Sequence, residues 1–129
     1  PIQDTKGDSD IDYNLALEEC VKNIDMMGLC AGTHNENSSL FLVELMHKYA
    51  ISSFDKRIYF SQLLGMSDHI SYNLALSNYN VAKYVPYGPV KEVLPYLMRR
   101  AQENTSVKGQ TGRELSLIIK EKERRNKLR

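Results

Sequence analysis

A chain of 129 residues suffices for one small domain with one core, and its 42% hydrophobic and 26% charged residues are ordinary for a globular protein. No apolar run approaches the roughly 18 to 20 residues of a membrane span. The net charge of +1 lacks the strong basic excess of a dedicated nucleic-acid binder.

The opening PIQDTKGDSD reads as a loop, too polar and acidic for a signal or transit peptide. Ser9 or Asp10 is placed to cap a helix from about Ile11 to Ile24, with Leu15, Leu17, Cys20, Val21 and Ile24 as apolar positions. Met26 to Gly32 is apolar without alternation, which predicts a strand buried on both faces. THNENSS forms a loop. Asn37 or Ser38 then caps a second helix, in which Phe41, Leu42, Leu45, Met46 and Tyr49 recur at helical spacing. Arg57 to Leu64 is rich in β-formers and stops at Gly65. A short helix over Asp68 to Leu76 follows. Asn80 to Val85 is a third strand, closed by Pro86 and Gly88. The next helix runs from about Val90 to Asn104. Thr111 and Glu114 form a T-x-x-E capping box that opens a last helix, whose tail KEKERRNKLR reads as a solvated charge run. Cys20 and Cys30 lack CxxC spacing and read as buried free thiols of a reducing compartment, not as metal ligands.

The order is therefore α–βα–βα–βα–α. Strands beginning about two dozen residues apart suit parallel pairing with helical crossovers. Three such strands make a poor free-standing sheet, so the parent architecture is a larger α/β domain. It is either a doubly wound sheet or an eight-stranded barrel of roughly 250 residues. The segment YNLAL occurs at 13–17 and 72–76, as two amphipathic helices can by chance.

In both architectures ligands bind beyond the carboxyl ends of the strands. That singles out Thr33-His34-Asn35, the turn around Gly65-Met66, and Tyr84 to Pro89. On the following helix, Tyr96, Arg99, Arg100 and Glu103 fall within about 100° of arc. Val90, Leu94, Leu97 and Ala101 mark a separate apolar stripe. Two guanidinium forks one turn from a tyrosine suit a carboxylate or a phosphate. An exposed basic turn paired with Glu103 would show the same spacing. His34 after a strand is either a ligand contact or a satisfied structural group. His47 and His69 have no second ligand at metal spacing and read as structural or surface groups. No dinucleotide fingerprint, P-loop or nucleophile elbow occurs.

The string KYVPYGPVKEVLPYLMRRAQEN, Lys83 to Asn104, resembles the C-terminal signature of proline dehydrogenases, flavin enzymes on a modified (β/α)8 barrel. GTHN, Gly32 to Asn35, is similar to that family's motif after the sixth barrel strand. FSQLLGMSD, Phe60 to Asp68, is similar to its seventh-strand segment. The resemblance implies that residues 1–110 form the C-terminal part of the barrel, with strands six to eight and helices five to eight. Residues 111–129 would form a charged C-terminal helix.

The resemblance further implies oxidation of L-proline to pyrroline-5-carboxylate with FAD as acceptor. Arg99 and Arg100 would bind the substrate carboxylate, Tyr96 and Tyr84 would shape the pocket, and Leu63 would wall it. Thr33, His34 and Asn35 would contact FAD, and Glu103 would hydrogen-bond on the flavin side. A one-residue register shift relative to some family members leaves open whether Ser61 or Gln62 faces the barrel interior. The implied full-length enzyme passes electrons to a quinone and associates loosely with a membrane. Its location would be the cytoplasmic face of a bacterial membrane or the mitochondrial matrix side. The isolated chain would be inactive, because the earlier strands carry much of the site. Two other readings remain. One is a self-associating interaction module with sticky strand edges. The other is a different barrel enzyme that uses Arg99 and Arg100 for phosphate.

Overall fold

The computed structural model describes residues 3–106 and 110–127. Helix α1 (Lys6–Lys22) begins inside the stretch expected to be a loop. Thr5 is its cap: the Thr5 hydroxyl oxygen accepts the Asp8 N–H at 3.1 Å, and the hydroxyl lies 2.6 Å from the Asp8 carboxylate to which it donates. Periodicity missed these first turns because they are solvent-exposed and carry no apolar stripe. Leu15, expected on the apolar face, is 60% exposed, while Leu17 and Val21 are buried.

Strand β1 (Leu29–Gly32) is shorter than the apolar run suggested, and it is not buried on both faces. Met26 sits in a turn, its N–H donating to the Asn23 carbonyl at 2.9 Å, and both Met26 and Met27 are exposed. Within the strand Ala31 is buried, whereas Cys30 and Gly32 are exposed. Cys30 is thus an exposed free thiol, and Cys20 is half-buried.

Helix α2 (Glu36–Lys48) is capped by Asn35 and not by Asn37 or Ser38. Strand β2 (Ile58–Leu63), helix α3 (Asp68–Leu76) and strand β3 (Val81–Tyr84) follow where the sequence places them. Gly65 ends the β2 segment at φ +80, a conformation open to glycine and costly for a residue with a Cβ.

The three strands form one parallel sheet in the order β1-β2-β3, with Ala31 opposite Phe60 and Phe60 opposite Val81. Ala31, Ile58 and Phe60 turn one face of the sheet toward Leu17 and Val21 of α1, Leu42 and Met46 of α2, and Ile70 and Leu74 of α3. Burial of a side chain such as Phe60 contributes about 1.5–3 kcal/mol. The Tyr79 ring meets Phe60 edge-on at 5.5 Å. The helices pack on one face, and this is why β1 alternates instead of being buried throughout.

The chain divides into two compact units, Pro1–Tyr84 and Val85–Arg129. The second holds α4 (Val90–Ser106) and α5 (Gln110–Asn126), which pack together. Since α5 is already helical at Gln110, Thr111 lies inside the helix and is not its cap. Pro95 lies within α4, where it removes the amide that would bond the Lys91 carbonyl.

Candidate functional site

Polar cross-links join the carboxyl ends of the strands. The Thr33 N–H donates to the Ser61 carbonyl at 3.2 Å, extending the ladder past β1. The Thr33 hydroxyl oxygen accepts the Asn35 N–H at 3.0 Å, and the Thr33 carbonyl accepts from Gln62 Nε2 at 3.2 Å. Gln62 is 2% exposed, and its Oε1 accepts the Ser71 hydroxyl of α3 at 2.8 Å. Gln62 therefore faces the helices. By strand alternation Ser61 lies on the opposite face with Leu63, which stands beside Tyr84 in the register. Ser61 and Gln62 thus lie on opposite faces of the sheet, with Gln62 on the helix-covered one.

His34 Nδ1 lies 2.9 Å from the Ser67 hydroxyl. Ser67 holds the left-handed conformation, φ 51 and ψ 42, at the N-terminal cap position of α3. Its side chain makes no cap bond to the helix. Nearby, Lys83 Nζ donates to the Met66 carbonyl and to the Asp68 carboxylate, each at 2.8 Å. The loops after β1 and β2 and the end of β3 are thus mutually braced.

Thr33, His34 and Asn35 are half-buried, Leu63 is buried, and Tyr84 is exposed. Asn35 has a structural task as well: its Oδ1 accepts the Asn37 N–H at 3.0 Å. The Asp10 carboxyl is held below its ordinary value mainly by its hydrogen bond to Lys6, with a smaller contribution from the Asn35 side chain. Asn35 therefore links the starts of α1 and α2 in addition to its place beside His34.

The other predicted residues belong to α4 in the second unit. The Arg100 guanidinium carbon lies 5.4 Å from the Tyr96 ring centroid, one helical turn away, and both residues are half-buried. Stacking on an aromatic face restricts the guanidinium plane. Arg99 is exposed. Glu103 is helical, and its side chain lies outside the described residues. The stripe at Val90, Leu94 and Leu97 is exposed, by 75%, 50% and 38%.

His47 bonds the Tyr79 hydroxyl through Nε2 at 3.0 Å, a structural contact. His69 lines an outer cleft of about 220 Å³ between α2 and α3. Gln62, Ser67, Ser71 and Lys83 escaped the sequence reading as parts of the loop framework. A serine after Gly-Met carries no signal that its hydroxyl will turn to a histidine 33 positions earlier in the chain. Among the described residues, no helix is long and apolar enough to cross a membrane.

A family model described as proline dehydrogenase matches residues 1–113. Proline dehydrogenase 1, mitochondrial, of Drosophila melanogaster is 42% identical over 123 residues, covering 88% of this chain and 18% of that protein. The Homo sapiens protein of the same name is 47% identical over 108 residues, covering 84% of this chain and 18% of its own length. Hydroxyproline dehydrogenase of Xenopus laevis is 40% identical over 129 residues, covering 97% of this chain and 28% of that protein. The chain thus spans between 18% and 28% of the length of these relatives. On the family match and these identities, the chain belongs to the proline dehydrogenase family.

Proposed function

We propose that this chain is the C-terminal part of the catalytic (β/α)8 barrel of a flavin-dependent enzyme that oxidises L-proline to pyrroline-5-carboxylate. In this reading residues 1–110 supply the last strands and helices of the barrel, and residues 111–129 a charged helix. The observation that carries it is the α4 grip, Arg99 beside an Arg100 stacked on Tyr96, in a member of this family. The parallel order β1-β2-β3 with helices on one face supports the barrel, whose interior would be the face bearing Ser61, Leu63 and Tyr84.

The residues fit a flavin cofactor. A Cβ built on Gly32 meets nothing within 4 Å, so a flat ring has room to approach the β1 backbone there. Thr33 and His34 stand next to that opening on a braced loop. Bound FAD would accept the two hydrogens lost across the ring carbon–nitrogen bond of proline. Thr33, His34 and Asn35 would hold the cofactor, and Glu103 would add a hydrogen bond on its side of the site. Arg99 and Arg100 would fix the substrate carboxylate, a positioning effect. Tyr96, Tyr84 and Leu63 would shape the pocket around the ring. Reoxidation by a quinone would bring the whole enzyme to a membrane surface, on the cytoplasmic face in bacteria or the matrix side in mitochondria, and the names of several relatives carry the word mitochondrial.

The test uses the full-length protein that contains this chain. Arg99→Lys and Arg100→Lys each replace a planar fork with a point charge, and the KM for proline is expected to rise roughly tenfold or more. An unchanged KM in both variants rejects the assignment.

A further inference from the structure

We propose that Ser67 is a positioning residue. Its hydroxyl donates to His34 Nδ1, which places the imidazole hydrogen on Nε2, the nitrogen that would meet the flavin. This rests on the reading that His34 contacts flavin.

The backbone at Ser67 makes the case. A residue with a Cβ is unfavourable at φ 51 and ψ 42. A serine at a helix start ordinarily offsets such costs by accepting an amide hydrogen of the first turn. Ser67 makes no such bond and turns to His34 at 2.9 Å. Local strain without local compensation is expected where the surrounding structure enforces it for another purpose.

The direction of the bond follows from burial. Ser67 is 9% exposed. If its oxygen accepted a hydrogen from Nδ1, its own hydrogen would be stranded with no acceptor among the described residues, an unfavourable state in a buried site. Donation to Nδ1 satisfies both groups and leaves Nε2 as the protonated nitrogen.

A second set of contacts reaches the same loop from the other side. The Ser67 carbonyl faces the Ser71 hydroxyl at 3.3 Å, and that hydroxyl donates to Gln62 at 2.8 Å. Gln62 then donates to the Thr33 carbonyl at 3.2 Å. Ser67 is thereby tied to both members of the Thr33–His34 pair, through its side chain to one and its carbonyl to the other. A ligand contact made by His34 acquires a fixed ring plane and a fixed tautomer.

The experiment uses the full-length protein stripped of flavin. It measures the FAD dissociation constant by fluorescence titration and the thermal midpoint of the apoprotein. Ser67→Gly removes the hydroxyl and relieves the left-handed strain. The apoprotein midpoint should stay level or rise, while FAD binding weakens about tenfold. His34→Ala should weaken binding at least as much, and the double variant should lose little more than His34→Ala alone. Ser67→Asn keeps a residue that tolerates this backbone and brings an amide donor, so it should bind FAD within about threefold of the unaltered protein. This rescue also stands as the test if the glycine variant does not fold. Ser67→Gly binding FAD as tightly as the unaltered protein, with His34→Ala weakened, overturns the role of Ser67 and leaves the flavin reading intact. His34→Ala without effect on affinity overturns the flavin reading itself. A fall in apoprotein stability that accounts for the loss in Ser67→Gly, with no rescue by asparagine, makes Ser67 merely structural.

Discussion

Ala50 and Asn78 occupy matching positions just past the C-caps of α2 and α3, both left-handed at φ 53 and φ 63. In each case the following residue returns a bond into the helix: Ile51 N–H to the Met46 carbonyl at 2.8 Å and Tyr79 N–H to the Leu74 carbonyl at 3.0 Å. Asparagine adopts this backbone at less cost than alanine. Ala50→Gly should stabilise the protein by about 0.5 kcal/mol, the relieved strain exceeding the extra entropy of an unfolded glycine. A fall in thermal midpoint would contradict it. Gln62 carries the opposite expectation. Gln62→Leu leaves the Thr33 carbonyl without its side-chain donor and should cost about 1–3 kcal/mol in denaturant unfolding. Asp55 gives a pH signature. Hydrogen bonds from Arg57 hold its carboxyl down at about 2, against an ordinary 3.8. A depressed carboxylate stabilises the fold above the ordinary value and loses that contribution as pH falls through the lowered one. Stability should therefore decline between about pH 4 and pH 2 by an amount that Asp55→Asn removes, measured as the difference between their acid unfolding curves.

At the level of elements, the helices were legible from apolar spacing where they meet the core and illegible where they do not. Residues 6–9 of α1 are exposed, so the cap at Thr5 was the sole clue. Thr5→Ala should cost about 1 kcal/mol through the lost cap, visible as reduced helix content at the N-terminal end or a lower midpoint. Strand β1 misled differently. Its apolar content suggested two covered faces, but Met26 and Met27 belong to a turn and Cys30 faces outward. Composition reports burial in the complete assembly of layers, and here only one face of the sheet is covered within the first unit. The placement of Tyr96, Arg99 and Arg100 on one helix was legible because helical periodicity alone sets it. The His34–Ser67 bond was not, because a backbone turn to positive φ at Ser67 creates it, and no residue type at that position announces such a turn.

At the scale of the molecule, each of the two units exposes large apolar side chains. In the first unit Tyr59 and Tyr84, on the sheet face away from the helices, are 39% and 54% exposed. The three-stranded sheet ends in β1 on one side and β3 on the other, each with an edge left unpaired among the described residues. In the second unit Val90, Leu94 and Met98 on α4 are 75%, 50% and 55% exposed. Open parallel edges recruit further strands, and contiguous apolar patches recruit partners. Prepared alone, this chain should self-associate. Its sedimentation-derived mass should grow between low and high micromolar concentration, and Leu94→Glu should shift that growth to higher concentration by placing a charge in the stripe. On the proposed reading, in which earlier strands of a barrel hold much of the flavin site, the same preparation should be colourless. A chain that stays monomeric across that range, with Leu94→Glu indistinguishable from it, would show that these surfaces are satisfied internally and would remove the structural ground for treating it as part of a larger barrel.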